Sequence, residues 1–318
     1  MFAGFVGESQ LTAAVSGEFF ASPSVGQIAK TVQTICKKNE EILFLVANYT
    51  GDRLNFGLAK ELLAQKGFEN IEIFHFGDDI SQLLRGTEIK HNKRRGLSGI
   101  DFIIKIAGKA SENGKSLKEI LNIIESESRR ICTISVSFTS CEIPGVGASF
   151  ILPIDQMELG LGIHGEPGVE RIKFMSAKDT VKRMLTLIVD YFKINNSDDA
   201  EKLKLCILVN NLGSMTQMEL NVIKSEIILQ LQFLNVSLYS IQAKTVMTSF
   251  NMKGFSISAY SGRELNDLPV YNVCSNYTVQ SKEFELRIDE NELFALNRIV
   301  DQSTLIEKIK CAALVLVS

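Results

Sequence analysis

His164 is one of three histidines in a chain of 318 residues. It sits in the run Met-Glu-Leu-Gly-Leu-Gly-Ile-His-Gly-Glu-Pro-Gly, residues 157–168, with Gly160, Gly162, Gly165 and Gly168 around it. Glycine lacks a Cβ and tolerates left-handed backbone angles, so main chain in such a run can approach a ligand closely. An imidazole placed there is a nucleophile or proton carrier in a pocket poor in side chains. A histidine in this setting also serves as a plain hydrogen-bonded turn residue, and composition alone leaves both readings open. Gly160-x-Gly162-x-x-Gly165 matches the dinucleotide fingerprint as well, but that motif works only between a strand and a helix whose N-terminus meets the pyrophosphate. Glu166-Pro167-Gly168 reads as a turn, which argues against nicotinamide or flavin binding.

The elements around this run alternate. Residues 41–47 (Glu-Ile-Leu-Phe-Leu-Val-Ala) are nearly all apolar, as expected of a strand buried on both faces. A helix is expected over residues 53–66, a strand over 70–76, helices over 100–110 and 117–128, and a strand over 131–138. Helical spacing also appears from Ser22-Pro23-Ser24 onward, at residues 7–15 and at residues 177–192. Residues 195–199 are polar and aperiodic and read as a linker. Beyond them come strands at 203–209, 236–241 and 255–260, and a capping box, Thr216-x-x-Glu219, that opens a helix to about Leu231. Strands alternating with helices predict an α/β fold of two α/β domains. The first has a largely parallel sheet flanked by helices; the second is smaller with a mixed sheet. The expected division is 1–194, 195–285 and a tail at 286–318. In open parallel sheets ligands gather beyond the carboxyl ends of strands. Asp52 and the pair Asp78-Asp79 stand there. His75, between Phe74 and Phe76, is expected to be buried and structural, and the basic run at residues 90–96 to be solvated surface.

Composition excludes several classes. Net charge is −3 and 45% of residues are apolar, which gives no general pull toward nucleic acid or an anionic membrane. No apolar run reaches the length of a membrane span. The six cysteines are scattered, with no C-x-x-C pair for zinc, and together with a start unlike a signal peptide they predict a cytoplasmic protein.

Several loops together resemble the substrate-binding K domain of dihydroxyacetone kinases, a family that includes triokinase/FMN cyclase. They are Gly-Phe-Val-Gly-Glu (4–8), Phe-Ala-Ser-Pro-Ser (20–24), Asn-Tyr-Thr-Gly-Asp-Arg-Leu-Asn-Phe (48–56), Arg-Arg-Gly-Leu-Ser-Gly (94–99), Lys-Ile-Ala-Gly (105–108), the His164 run, and Val-Asn-Asn-Leu-Gly (209–213). The resemblance runs in order from Phe2 to about Tyr260. It implies that His164 bonds the carbonyl carbon of dihydroxyacetone or glyceraldehyde as a hemiaminal, and that Asp52 holds a terminal hydroxyl and assists its deprotonation. It implies a homodimer, no cofactor or metal on this chain, and ATP and magnesium on a separate L-type kinase partner. Asp52 could equally be an N-cap for the helix that follows it. Two departures bear on turnover. The family's Gly-Ser-Gly-His-Glu-Pro loop, expected upstream of Gly4 with its own strand, is not in the sequence, and Ala47 replaces the family's lysine. A positioned acid or base is worth roughly 100- to 10,000-fold, so the resemblance leaves two expectations: an impaired kinase subunit, or a decayed relative that binds substrate or a sibling subunit as a regulator. Residues 291–304 faintly resemble the start of an L domain, with Asn297 where its first aspartate would stand and without the Gly-Asp-Gly-Asp run.

Overall fold

The computed structural model describes residues 2–18, 20–86, 93–143, 145–166, 168–195 and 203–262, and the main chain of 311–317. Its elements in chain order are β1 (Ala13–Ser16), α1 (Val25–Ile35), β2 (Glu41–Ala47), α2 (Thr50–Ala64), β3 (Ile71–Phe76), α3 (Ile100–Glu112), α4 (Leu117–Ser128), β4 (Ile131–Ser137), the short hairpin β5 (Glu142–Ile143) and β6 (Gly147–Ala148), β7 (Gln156–Leu159), β8 (Glu170–Lys173), α5 (Ala177–Asn195), β9 (Lys204–Asn211), α6 (Gln217–Phe233), β10 (Ser237–Lys244), β11 (Gly254–Tyr260) and β12 (Cys311–Val317). The expected α/β fold is what the chain adopts. The expected linker falls on residues outside those described, except Asn195, which ends α5.

The first sheet has the order β1-β12-β2-β3 and is parallel throughout. Six of the seven residues of β2 are buried, as its continuous apolar run requires of a strand covered on both faces. Helices α1 and α2 cover one face through Ile28, Val32, Phe56 and Leu63. Helices α3 and α4 cover the other through Ile103, Ile106, Ile120 and Ile124. The second sheet is mixed, with the order β10-β9-β11-β4-β7-β8. Its β9 and β10 run parallel, while β11 is antiparallel to both β9 and β4. Helices α5 and α6 pack on it through Met184, Ile188, Ile223 and Ile227. Among the described residues, three helices begin in reciprocal capping boxes: Ser24 with Gln27, Ser116 with Glu119, and Thr216 with Glu219. The last is the one read from the sequence.

The sheets cut across the linear division at residue 195. β4, β7 and β8 come from the first part of the chain but lie in the mixed sheet, joined to the strands from beyond 203 through the pairing of β4 with β11. One apolar cluster joins Leu43 and Leu45 of β2, Phe102 of α3, and Cys206, Leu208 and Tyr260 of the mixed sheet. Helix α3 is therefore shared between the sheets. A backbone joint ties them as well: Asp79 bridges Thr133, Thr133 N–H donates to the Asp78 carbonyl, and Ile80 N–H donates to the Thr133 carbonyl.

Two local expectations fail. Residues 7–15 form turns and then β1, not a helix, because Ala13–Ser16 find a parallel partner in β12 and a strand partnership overrides weak helical spacing. His75 is exposed, because β3 is the edge strand of its sheet.

Candidate functional site

His164 lies in the connection between antiparallel β7 and β8. No helix follows the glycine run, so the dinucleotide reading has no anion-binding helix end to rest on. The loop is tied at its base. Gly160 N–H donates to the Ser135 carbonyl, Ser135 Oγ donates to the Leu161 carbonyl, and Val169 N–H donates to the Leu159 carbonyl. Gly160 has φ 72°, a left-handed angle that a side chain resists. At Gly162 the reason is space: a Cβ there would lie 1.5 Å from Glu166 Oε1.

The imidazole is half-buried. The Tyr49 ring meets it edge-on at 4.7 Å between centroids and the Phe20 ring at 5.5 Å. Phe20 keeps a left-handed φ of 51°, an uncommon conformation for a bulky residue and one that costs energy to hold. The His164 main-chain N–H donates to Glu166 Oε2 at 3.0 Å. Burial pushes the imidazole pKa down, the Glu166 carboxylate pushes it back up, and the Arg95 guanidinium pushes it down.

Arg95, expected to be solvated surface, is the hub of the site instead. Its Nε donates to Asp79 Oδ2 at 2.7 Å, Nη1 to Glu166 Oε1 at 3.1 Å, and Nη2 to the Gly160 carbonyl at 2.6 Å and Ser81 Oγ at 3.3 Å. Its neighbour Arg94 donates to the Tyr191 hydroxyl at 2.9 Å. Neither role is visible in a basic run, because the partners lie 71 and 97 residues away in sequence.

Asp52 occupies the first turn of α2, which begins just beyond the carboxyl end of β2. It is not the N-cap. That position is Tyr49, without a side-chain hydrogen bond. Tyr49 therefore joins the two residues singled out from sequence: it starts the helix that carries Asp52 and lays its ring on His164. Asp52 is 1% exposed, and neither carboxylate oxygen has a hydrogen-bond partner of good geometry. Burial raises its pKa to about 6, with the nearby Ser22 hydroxyl opposing the rise. The Tyr49 hydroxyl is also buried without a partner, and burial first, then Glu166, keeps it a neutral phenol. Buried polar atoms are nearly always satisfied, so the Tyr49 hydroxyl, on the ring that meets the imidazole, and the Asp52 oxygens in the first turn of the same helix make this the candidate site for a polar ligand. Asp78 and Asp79, the other carboxylates at a strand exit, are already engaged: Asp79 by Arg95, Asp78 by the Leu97 and Gly99 N–H groups and the Thr133 hydroxyl.

The model of the Dak1 domain matches residues 1–268. The chain belongs to the Dak1 family. Triokinase/FMN cyclase of Rattus norvegicus is 37% identical over 257 residues, 80% of this chain and 44% of that protein. Dihydroxyacetone kinase of Citrobacter freundii is 34% identical over 258 residues, 80% of this chain and 44% of its own length. This Dak1 chain thus spans about half the length of the curated relatives it matches. Among solved structures, the native dihydroxyacetone kinase of C. freundii superposes with a TM-score of 0.74 at 31% identity, covering 85% of this chain and 47% of that one. The dihydroxyacetone kinase operon co-activator Dha-DhaQ superposes with a TM-score of 0.75 at 27% identity, covering 84% and 80%. The Dak1 fold, the K-type domain of dihydroxyacetone kinases, is therefore shared with both a kinase and a co-activator.

Proposed function

We propose that this Dak1 chain holds dihydroxyacetone or glyceraldehyde covalently on His164, with Asp52 as the carboxylate for a terminal hydroxyl. A three-carbon hydroxyketone offers little apolar area, and water satisfies its hydroxyls. A neutral imidazole selects it by the one group that glycerol lacks, its carbonyl. The lone pair of a ring nitrogen adds to the carbonyl carbon, and the carbonyl π pair moves to oxygen. That oxygen gains one proton while the other ring nitrogen loses one, leaving a neutral hemiaminal. A lowered imidazole pKa keeps the attacking lone pair free at neutral pH. A carboxylate that titrates near 6 is a competent base for a hydroxyl at the same pH. The observation that carries the reading is the pair of buried Asp52 oxygens without a partner of good geometry, on the helix turn that starts at the ring set edge-on to His164.

Phosphoryl transfer would use ATP and magnesium on a separate L-type partner. Dihydroxyacetone kinase of C. freundii has been solved in complex with AMP-PNP and Mg2+, and it superposes on this chain with a TM-score of 0.74. Homodimerisation and a cytoplasmic location belong to the same reading. Among the described residues, no helix is long and apolar enough to cross a membrane.

The test is carbon NMR with dihydroxyacetone labelled at its carbonyl carbon. Wild type should move the label from the ketone to the saturated range, and His164→Ala should leave it in place. An unmoved label in wild type would reject covalent capture.

A second reading has its own support. Ala47 stands where the family carries a lysine, and Dha-DhaQ, named a co-activator, is as good a structural match as the kinase. Under that reading the chain captures the ketone as a signal and does not pass it on. Adduct formation without phosphorylation, with ATP, magnesium and an L-type subunit supplied, would favour it; phosphorylated product would exclude it.

A further inference from the structure

We propose that the ion-pair chain Asp79–Arg95–Glu166 positions His164 for addition to the carbonyl, so that Arg95 and Glu166 act on the reaction through the imidazole without touching substrate. The inference rests on the covalent reading above and deepens it.

Three structural segments meet at one guanidinium. Nε holds the exit of β3 through Asp79, Nη2 holds the end of β7 through the Gly160 carbonyl, and Nη1 holds the loop itself through Glu166. Glu166 uses its other oxygen on the His164 N–H. The main chain beneath the imidazole is therefore tied, through one carboxylate and Arg95, to the exit of β3 and the end of β7. The contact relies on glycine: Glu166 Oε1 occupies the space where a Cβ of residue 162 would lie, so a side chain there would push the carboxylate from this position. A guanidinium can bond in three directions in one plane, whereas an ammonium is a point charge on a flexible stem. Lysine at 95 could keep a charge there but not the three ties.

Charge gives the second half of the argument. The charged and titratable groups around the imidazole are Glu166 on its own loop, Arg95 between β3 and α3, Tyr49 at the start of α2, and Asp79 behind Arg95. Burial is the largest influence on the ring and lowers its pKa, Glu166 opposes it, and Arg95 adds to it. Without Arg95, Glu166 would act on the ring without that opposing charge and shift the balance toward the imidazolium, which has no lone pair to offer the ketone.

The experiment uses the full chain with labelled histidines, His164 being assigned by its loss in His164→Ala. The imidazole is titrated by NMR without ligand, and the adduct is then measured with labelled dihydroxyacetone. Glu166→Gln should move the His164 midpoint down and Arg95→Met should move it up. Arg95→Met should also lower adduct occupancy at neutral pH by about tenfold, with Arg95→Lys recovering the midpoint better than the occupancy. Midpoints and occupancies equal to wild type in folded Glu166→Gln and Arg95→Met would overturn the proposal. If Arg95→Met does not fold, Glu166→Gln decides, because the Glu166 side chain is one-third exposed at 33% and no core depends on it. A wild type without adduct but with the midpoints split as stated would reject covalent capture and leave the positioning of His164 standing.

Discussion

Asp52 and Asp78 are both buried carboxylates just past the carboxyl end of a parallel strand, and burial raises both to about 6. Their surroundings differ completely. Asp78 accepts from Leu97 N–H at 2.5 Å, Gly99 N–H at 2.8 Å and the Thr133 hydroxyl, so it holds the segment entering α3 and the start of β4 together. Asp52 accepts from nothing of good geometry. Burial produces the same shift in one case against three donors and in the other against the Ser22 hydroxyl alone. A shifted carboxylate therefore does not by itself mark a binding site. What separates the two is whether the fold has already supplied hydrogen-bond partners.

The largest expected effect tests the Asp78 side. Asp78→Ala leaves two buried main-chain donors, Leu97 N–H and Gly99 N–H, unpaired at the joint of the two sheets, while the Thr133 hydroxyl keeps Ser258 Oγ. Each unpaired donor costs roughly 1–3 kcal/mol, so chemical denaturation should show a loss of about 2–6 kcal/mol or no folded protein. Asp52→Asn should do the opposite. The folded pKa of Asp52 is raised above the unfolded value, so the charged form penalises the fold. Stability is highest below about 4, falls as pH rises toward 6, and carries the full penalty above that. A rise from 3.8 to about 6 corresponds to on the order of 3 kcal/mol. Asp52→Asn should therefore raise the melting temperature at pH 7 and flatten the stability profile between about 4 and 6, while abolishing any phosphorylation of the ketone. A melting temperature that falls would mean that Asp52 is as structural as Asp78. The smallest effect sharpens the contrast. Thr133→Val removes one hydroxyl donor from Asp78 and should cost about 1–2 kcal/mol. It should also raise the Asp78 pKa further, because that hydrogen bond lowers it; a carboxylate titration followed by NMR would show the shift.

Much of the scaffold was legible in sequence because it rests on short-range rules. The apolar run of β2 has the pattern of a strand covered on both sides, and Thr216-x-x-Glu219 caps its own helix. Which sheet a strand joins was not legible. β4 is buried at all seven positions, so no alternation of faces points to a partner, and its main pairing is with β11, more than a hundred residues on. The exposure of His75 depends on β3 being an edge, which is a property of the sheet and not of the strand. At the site, His164 stood out because histidine is rare here and glycines frame it. Arg95 did not, because one arginine beside another looks like surface until the carboxylates that hold it are placed. Asp78 and Asp79 are adjacent and chemically alike, and only the fold assigns one to the joint and the other to the guanidinium.

The contact between Gly162 and Glu166 has a consequence for divergence within the family. With an acceptor oxygen 1.5 Å from where a methyl carbon would go, the glycine can drift only after the glutamate has left or swung away. A larger residue at 162 would therefore first displace that carboxylate, and with it the ties to Arg95 and to the His164 N–H.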